Sequence, residues 1–256
     1  MIHSTAIIDP AAELDEGVEV SPYAVIGPDV KIGRGSWIGP HAVINGPTIL
    51  GRNNKIFQFA SIGEVTQDKK YNNEYTVLEV GNDNTFRECT TVSRGTAQGG
   101  GITKIGNGNL FMAYVHIAHD CLVGNNTTFS NNASLAGHVI VEDYANLGGF
   151  VGVHQFGLIG AHSFCAGGSI INKDVPPFCM VAGHPAQLHG LNQVGLKRRG
   201  FSEQAMSAIK QAYKILFRQG HTVDESIKLL MPLVPVCPDV QLFIDFCQKS
   251  NRGTTR

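Results

Sequence analysis

A chain of 256 residues, 43% apolar and 16% charged with a formal net charge of −1, has the composition of a folded globular protein and no general electrostatic affinity for nucleic acid or an anionic membrane surface. Met1 to Thr5 carries neither the cationic region nor the apolar stretch of a secretory leader, and no transmembrane segment is expected because no run approaches the roughly 20 apolar residues of a membrane span. The six cysteines (Cys89, Cys121, Cys165, Cys179, Cys237, Cys247) are scattered with no C-x-x-C pair, which predicts reduced thiols in a cytoplasmic protein rather than a zinc knuckle or a disulfide framework.

Stepping by six from Ile2, the chain gives Ile8, Leu14, Val20, Ile26, Ile32, Ile38, Ile44, Leu50, Ile56 and Ile62 without a miss. A period of six fits neither an amphipathic helix nor a hairpin array, and hexapeptide repeats belong to parallel β-helices. Three hexads make one triangular coil, so residues eighteen apart stack on successive coils at roughly the 4.8 Å spacing of paired strands, and each periodic aliphatic points inward. Glycine often follows the periodic residue, as at Gly27, Gly33, Gly51 and Gly81, and is read as a turn signal.

The interior of such a prism has no room for extra residues, so interruptions leave as loops. The first covers about residues 64–79, is polar, and re-enters in phase at Val80. After Phe86 and Val92 a second loop, about 95–103, contains Gly99-Gly100-Gly101. The period then resumes at Ile105 and continues through Phe111, Ile117, Val123, Phe129, Leu135, Val141, Leu147, Val153, Ile159 and Cys165 to Ile171.

After Ile171 the period stops, Asp174-Val175-Pro176-Pro177 marks a boundary, and from Ser202 the spacing becomes helical. Ser202 is placed as the N-cap of a helix that stops at Gly220; Thr222 and Glu225 form a capping box for a second; a third follows Pro238. These helices are expected to pack on the end coil, whose backbone edge would otherwise be open. The cations Lys197-Arg198-Arg199 lie at the junction, where a guanidinium pair suits diphosphate recognition and a solvated turn is the structural reading.

Four of the ten histidines, His116, His119, His138 and His154, fall within three successive coils. Eighteen residues on from His119 is Gly137, next to His138, and eighteen further is Gln155, next to His154, so these groups line one corner of the prism. Aligned imidazoles fit two chemistries: a zinc site with an open position, or a general base flanked by substrate-binding groups. A non-catalytic scaffold is the bland alternative.

The strings Ala118-His119-Asp120-Cys121, Leu135-Ala136-Gly137-His138, Val153-His154-Gln155-Phe156, Gln58-Phe59-Ala60-Ser61-Ile62-Gly63-Glu64 and Gly195-Leu196-Lys197-Arg198-Arg199-Gly200-Phe201 resemble motifs of the UDP-N-acetylglucosamine acyltransferase family. So do Gln67-Asp68 and Arg94-Gly95-Thr96 in the two loops, which extends the resemblance over the whole chain. It implies a mainly β chain with an α tail: a left-handed parallel β-helix over residues 1–190 and a helical domain over 191–256. It also implies a homotrimer with sites between subunits. The reaction implied is transfer of an (R)-3-hydroxyacyl chain from acyl carrier protein to the glucosamine 3-hydroxyl of UDP-N-acetylglucosamine, the first step of lipid A biosynthesis. No metal or cofactor is implied, the donor riding on the phosphopantetheine of its carrier.

By the same resemblance His119 is the general base, Asp120 its support and Gly137 N–H the oxyanion donor. His116, His138, His154 and Gln155 line the cleft, Asp68 and Lys70 meet the sugar, and Asn192, Arg198 and Arg199 hold the nucleotide. Gly167 sits where the family limits acyl length, so its lack of a side chain implies room for a longer chain. Ser93, where members often have histidine, together with Val194 and Pro185, departs from the pattern. Some relatives use a 3-amino sugar nucleotide and make an amide. The later N-acyltransferase of the pathway usually adds an N-terminal domain, for which hexads starting at Ile2 leave no space.

Overall fold

The structure, a computed structural model, describes residues 1–255. Within them the chain winds through three sheets of nine, eight and ten short strands, paired in parallel from one coil to the next except for the last strand of the ten-stranded sheet, which is antiparallel. One turn of the coil is eighteen residues: Ile8 lies beside Ile26, Ile26 beside Ile44, and Ile44 beside Ile62. The same column continues through Val92, Ile117, Leu135 and Val153 to Ile171, so the predicted period is a physical stack of inward side chains.

That stack is the core. Ile26, Ile44, Ile62, Ile117 and Leu135 are completely or almost completely buried, and the small residues that precede them by two, such as Ala24, Ala42, Ala60 and Ala133, fill the corners. Midway along, Phe86, Phe111 and Phe129 stack with centroids 4.7 and 5.0 Å apart.

The turn reading of the repeated glycines holds: Gly27, Gly33 and Gly51 each stand at the entrance to a turn, Pro28-Asp29, Arg34-Gly35 and Arg52-Asn53. The left-handed backbone itself sits, at most corners, three residues before the inward residue and is borne mainly by ordinary side chains: Asp120, His138 and Phe156 have φ of 60°, 61° and 64°. Such a conformation costs roughly 1–2 kcal/mol per residue, and ladder bonds such as His138 N–H to His119 O (3.0 Å) and Phe156 N–H to Gly137 O (3.1 Å) offset it. The glycines are needed for close approach: a Cβ on Gly81 would lie 2.7 Å from Gly106 O on the next coil.

The insertions enter where expected, in slightly narrower form. Leu50 pairs with Val80 and Val80 with Ile105, so the ladder resumes in phase after each loop, with one register shift between Ile62 and Glu64 where the first loop leaves. The first runs between the strands Ser61–Glu64 and Val77–Val80; the second, between Thr91–Ser93 and Ile102–Ile105, contains a single 3-10 turn, Ala97–Gly99.

Past Ile171 the coil does not stop at once. Val181 still stacks on Cys165, and Cys179–Gly183 turns back as an antiparallel hairpin with Ala186–Leu191, an element the hexad pattern does not reveal. Helix α1 (Gln193–Arg198) absorbs the basic run read above as a turn. Helix α2 (Glu203–Arg218) is N-capped by Ser202, and Gly220 follows in a left-handed conformation. Helix α3 (Val223–Leu230) carries the Thr222–Glu225 capping box, and a 3-10 turn from Pro238 leads into α4 (Gln241–Lys249). Phe178, Ile209, Leu230 and Phe243 form a second core that closes the end of the prism.

Asp174 clamps that closure. It is 1% exposed, its carboxylate accepts Leu158 N–H (2.9 Å), Ser250 Oγ–H (2.7 Å) and Arg252 N–H (3.2 Å), and Thr255 N–H bonds its carbonyl. Asp174→Ala leaves these donors buried without an acceptor, and we expect a loss of about 2–4 kcal/mol, read from chemical denaturation.

Candidate active site

The corner that the histidine spacing marks is a physical groove. Thr66, Asp68 and Lys70 of the first loop face His116, His119 and Gln155 of the coils across a cleft of about 420 Å³, with Ser93 and Gln67 completing its wall. Asp68 is fixed by local bonds, its N–H donating to Thr66 Oγ1 (3.1 Å) and its carboxylate accepting Lys70 N–H (3.0 Å).

His119 occupies the floor with 11% of its side chain exposed. Its Nδ1 lies 2.7 Å from Asp120 Oδ2, while Nε2 lies 4.0 Å from Asp68 Oδ2 on the cleft side. The ring therefore has one nitrogen anchored on a buried carboxylate and the other turned toward the space a ligand would fill. His138 stands edge-on to it at 5.1 Å, with Nε2 3.6 Å from Asp120 Oδ2, and stacks on Phe156 at 4.5 Å.

Gly137 touches the imidazole. A Cβ there would come within 2.5 Å of His119 Cε1 and 2.6 Å of Nε2, so only glycine lets this coil pass so near the ring. No protein acceptor takes its N–H among the described residues.

Burial lowers the pKa of His116, with a further contribution from His119, and His116 Nδ1 pairs with Thr91 Oγ1 at 2.8 Å. Burial also lowers that of His138, against the opposing pull of Asp120. Both imidazoles are accordingly biased toward the neutral form at pH 7.

One chain does not gather every expected residue. His154 is exposed and bonds the carbonyl of Gln155 (3.1 Å). Gly167 is exposed beside Gly149 at another corner. Asn192, Arg198 and Arg199 line a separate depression of about 600 Å³ between the last coils and α1, which shares no lining residue with the cleft. Asn192 is also the N-cap of α1, accepting Gly195 N–H and donating to His162 O (3.0 Å). Arg199 bonds Tyr144 O (2.6 Å) and lies over that ring. Thr91 and Thr103 are not singled out by the sequence, because a hydroxyl that serves a partner on another coil leaves no local pattern.

As for a metal, the described residues bring together His119, Asp120 and His138, with donor atoms within 4.8 Å of one another, rather than three imidazoles. Asp120 Oδ2 already accepts from His119 and from Thr96 Oγ1, which leaves it poorly disposed to a cation.

Comparison with known proteins places this geometry. Residues 174–255 match the model of UDP N-acetylglucosamine O-acyltransferase, domain 2, and residues 102–137 the bacterial transferase hexapeptide (six repeats). The acyl-[acyl-carrier-protein]–UDP-N-acetylglucosamine O-acyltransferase of Thiobacillus denitrificans is 58% identical over 255 residues, covering 100% of this chain and 99% of the relative. The chain belongs to the UDP-N-acetylglucosamine O-acyltransferase family. The solved acyltransferases of Francisella novicida (39% identical, TM-score 0.97, covering 100% of this chain and 94% of that one) and Acinetobacter baumannii (46%, 0.96, 100% and 99%) superpose along the whole length. The coil is thus the parallel β-helix expected from the hexads, with the left hand that the resemblance implies.

His162, outside the cleft, generates a pH prediction. It stacks between Tyr144 (4.8 Å) and Phe178 (5.4 Å), and burial, aided by the Arg199 guanidinium, pushes its pKa from 6.5 down to about 4. The unfolded chain takes up this proton below 6.5 and the folded chain only near 4, so stability falls as pH drops through that window. His162→Phe keeps the stack and removes the titration; its melting temperature should decline less than that of the native protein between pH 6.5 and 4.

Proposed function

We propose that the protein transfers an (R)-3-hydroxyacyl group from acyl carrier protein to the 3-hydroxyl of UDP-N-acetylglucosamine, the first step of lipid A biosynthesis, with His119 as general base. The observation that carries the catalytic part is the orientation of the His119 ring, Nδ1 on Asp120 and Nε2 toward the cleft. Full-length relatives named for this transfer carry the substrate assignment.

His119 Nε2 accepts the proton of the sugar hydroxyl as its oxygen bonds to the thioester carbonyl carbon. The carbonyl π electrons move to oxygen, and the resulting oxyanion is met by Gly137 N–H, which has no protein acceptor among the described residues. Collapse re-forms the carbonyl and breaks the carbon–sulfur bond, and the imidazolium returns its proton to the leaving thiolate. Asp120 stabilises the imidazolium between these steps, as a buried hydrogen-bonded carboxylate does for a catalytic histidine. Asp68 and Lys70 contact the sugar side. The scheme calls for no metal or cofactor of the protein's own, the pantetheine thiol belonging to the donor carrier.

The separation of Asn192, Arg198 and Arg199 from the cleft supports a homotrimer in which the depression beside α1 of one copy completes the cleft of its neighbour. The nucleotide end of the acceptor would lie there, and Gly167, exposed in one chain, would face the acyl chain in the assembly. A donor carried on acyl carrier protein supports a cytoplasmic setting for the reaction.

Folded His119→Ala should lose at least about 100-fold in kcat for transfer to UDP-N-acetylglucosamine, the usual scale of general-base removal. Unchanged turnover would remove His119 from the chemistry, and stoichiometric zinc in protein prepared without added metal would favour the metal reading. Sedimentation equilibrium of the native protein should return three times the chain mass.

A further inference from the structure

The carboxylate of Asp120 is held by the second loop. Thr96 donates to both of its oxygens, N–H to Oδ1 at 2.8 Å and Oγ–H to Oδ2 at 2.6 Å. Two bonds from one residue, one to each oxygen, fix the plane of the carboxylate. Asp120 N–H in turn bonds Thr103 Oγ1 (2.8 Å), and Asp120 and Thr96 are each only 6% exposed.

Thr96 has its own support. It caps the 3-10 turn Ala97–Gly99, its Oγ1 accepting Gly99 N–H at 3.2 Å, and the turn closes at Gly100 in a left-handed conformation with φ 96°. Glu74 of the first loop accepts Ala97 N–H at 3.3 Å, which ties the two insertions together. Gly99 has no substitute: a Cβ on it would overlap Asp120 Cγ and both carboxylate oxygens.

We propose that Thr96, seated by the Gly99 turn, is a positioning residue for catalysis: it aims the Asp120 carboxylate so that His119 keeps its hydrogen on Nδ1 and its lone pair on Nε2 facing the cleft. This rests on the reading of His119 as the base. The second loop is a fixed strut of the dyad. Without the Thr96 hydroxyl the carboxylate turns about its Cβ–Cγ bond, the imidazole exchanges tautomers, and the fraction of protein able to accept the acceptor's proton falls. Substrate contacts of the cleft wall are untouched, so the loss belongs to kcat.

The test compares full-length native protein, Thr96→Val, Thr96→Ser and Gly99→Ala, using steady-state acyl transfer and nitrogen-15 spectra of the histidine rings. Thr96→Val should lower kcat about 10- to 100-fold with KM within about twofold, and Thr96→Ser should recover to within about threefold. Gly99→Ala leaves every donor of Thr96 in place and displaces the carboxylate, so it should match Thr96→Val even if that variant folds poorly. The spectra should show His119 as the single Nδ1–H tautomer in the native protein and as a mixture in the two impaired variants. Folded Thr96→Val and Gly99→Ala with native kcat and a single tautomer overturn the proposal. If the native protein transfers no acyl group, the proposed reaction fails while the tautomer comparison still decides whether Thr96 sets the ring.

Discussion

The parallel pairing of each coil with the next is the constraint on which the rest of the structure depends. A backbone that repeats every eighteen residues lets Ile8, Ile26 and Ile44 stand on one another, and the ladder bonds satisfy nearly all strand donors and acceptors inside the prism. Because that column must stay filled from Ile8 to Ile171, additional chain leaves sideways, and both insertions do. The ladder also stabilises left-handed corners at side chains that would otherwise avoid them, Asp120 and His138 among them. The groups proposed for catalysis are thus mounted on corners at fixed height in the ladder.

The active-site corner combines parts from three levels of the chain. The coils supply His119, Gly137 and Gln155 in vertical register; the first loop supplies the opposite wall with Asp68 and Lys70; the second loop supplies Thr96 beneath the carboxylate. Asp120 is the hub, taking hydrogen bonds from Thr96 and His119 at nearly full burial. A buried carboxylate is costly when unsatisfied and effective when each lone pair has a donor, which is why so many neighbouring groups are spent on a single side chain. Gly137 contributes by what it lacks, since any side chain there would displace the imidazole.

Much of this was legible before any coordinates. Phase alone defined the prism, the two loops and the alignment of His119 with Gly137 and Gln155, because in a solenoid sequence separation converts directly into height. Ser202, Thr222 and Glu225 marked helix starts by capping chemistry that acts within one turn. What escaped involves contacts between distant residues or a change of period. The hairpin Cys179–Gly183 with Ala186–Leu191 follows no hexad; α1 is too short and too basic to show an apolar face; and the glycines that open the turns also allow a close approach between coils that spacing does not reveal. Thr96 stands next to nothing in sequence that reveals its bonds to Asp120, and Asn192 reads as a ligand residue while also serving as a helix cap.

The most direct test of the central claim is the product itself: native protein, (R)-3-hydroxyacyl carrier protein and UDP-N-acetylglucosamine are mixed and the sugar nucleotide is followed by mass spectrometry. The account predicts a gain of one 3-hydroxyacyl group in an alkali-labile ester, with one carrier thiol freed for each. Thiol release with no acylated sugar nucleotide, or acylation of a 3-amino analogue alone through an alkali-stable amide, would contradict it.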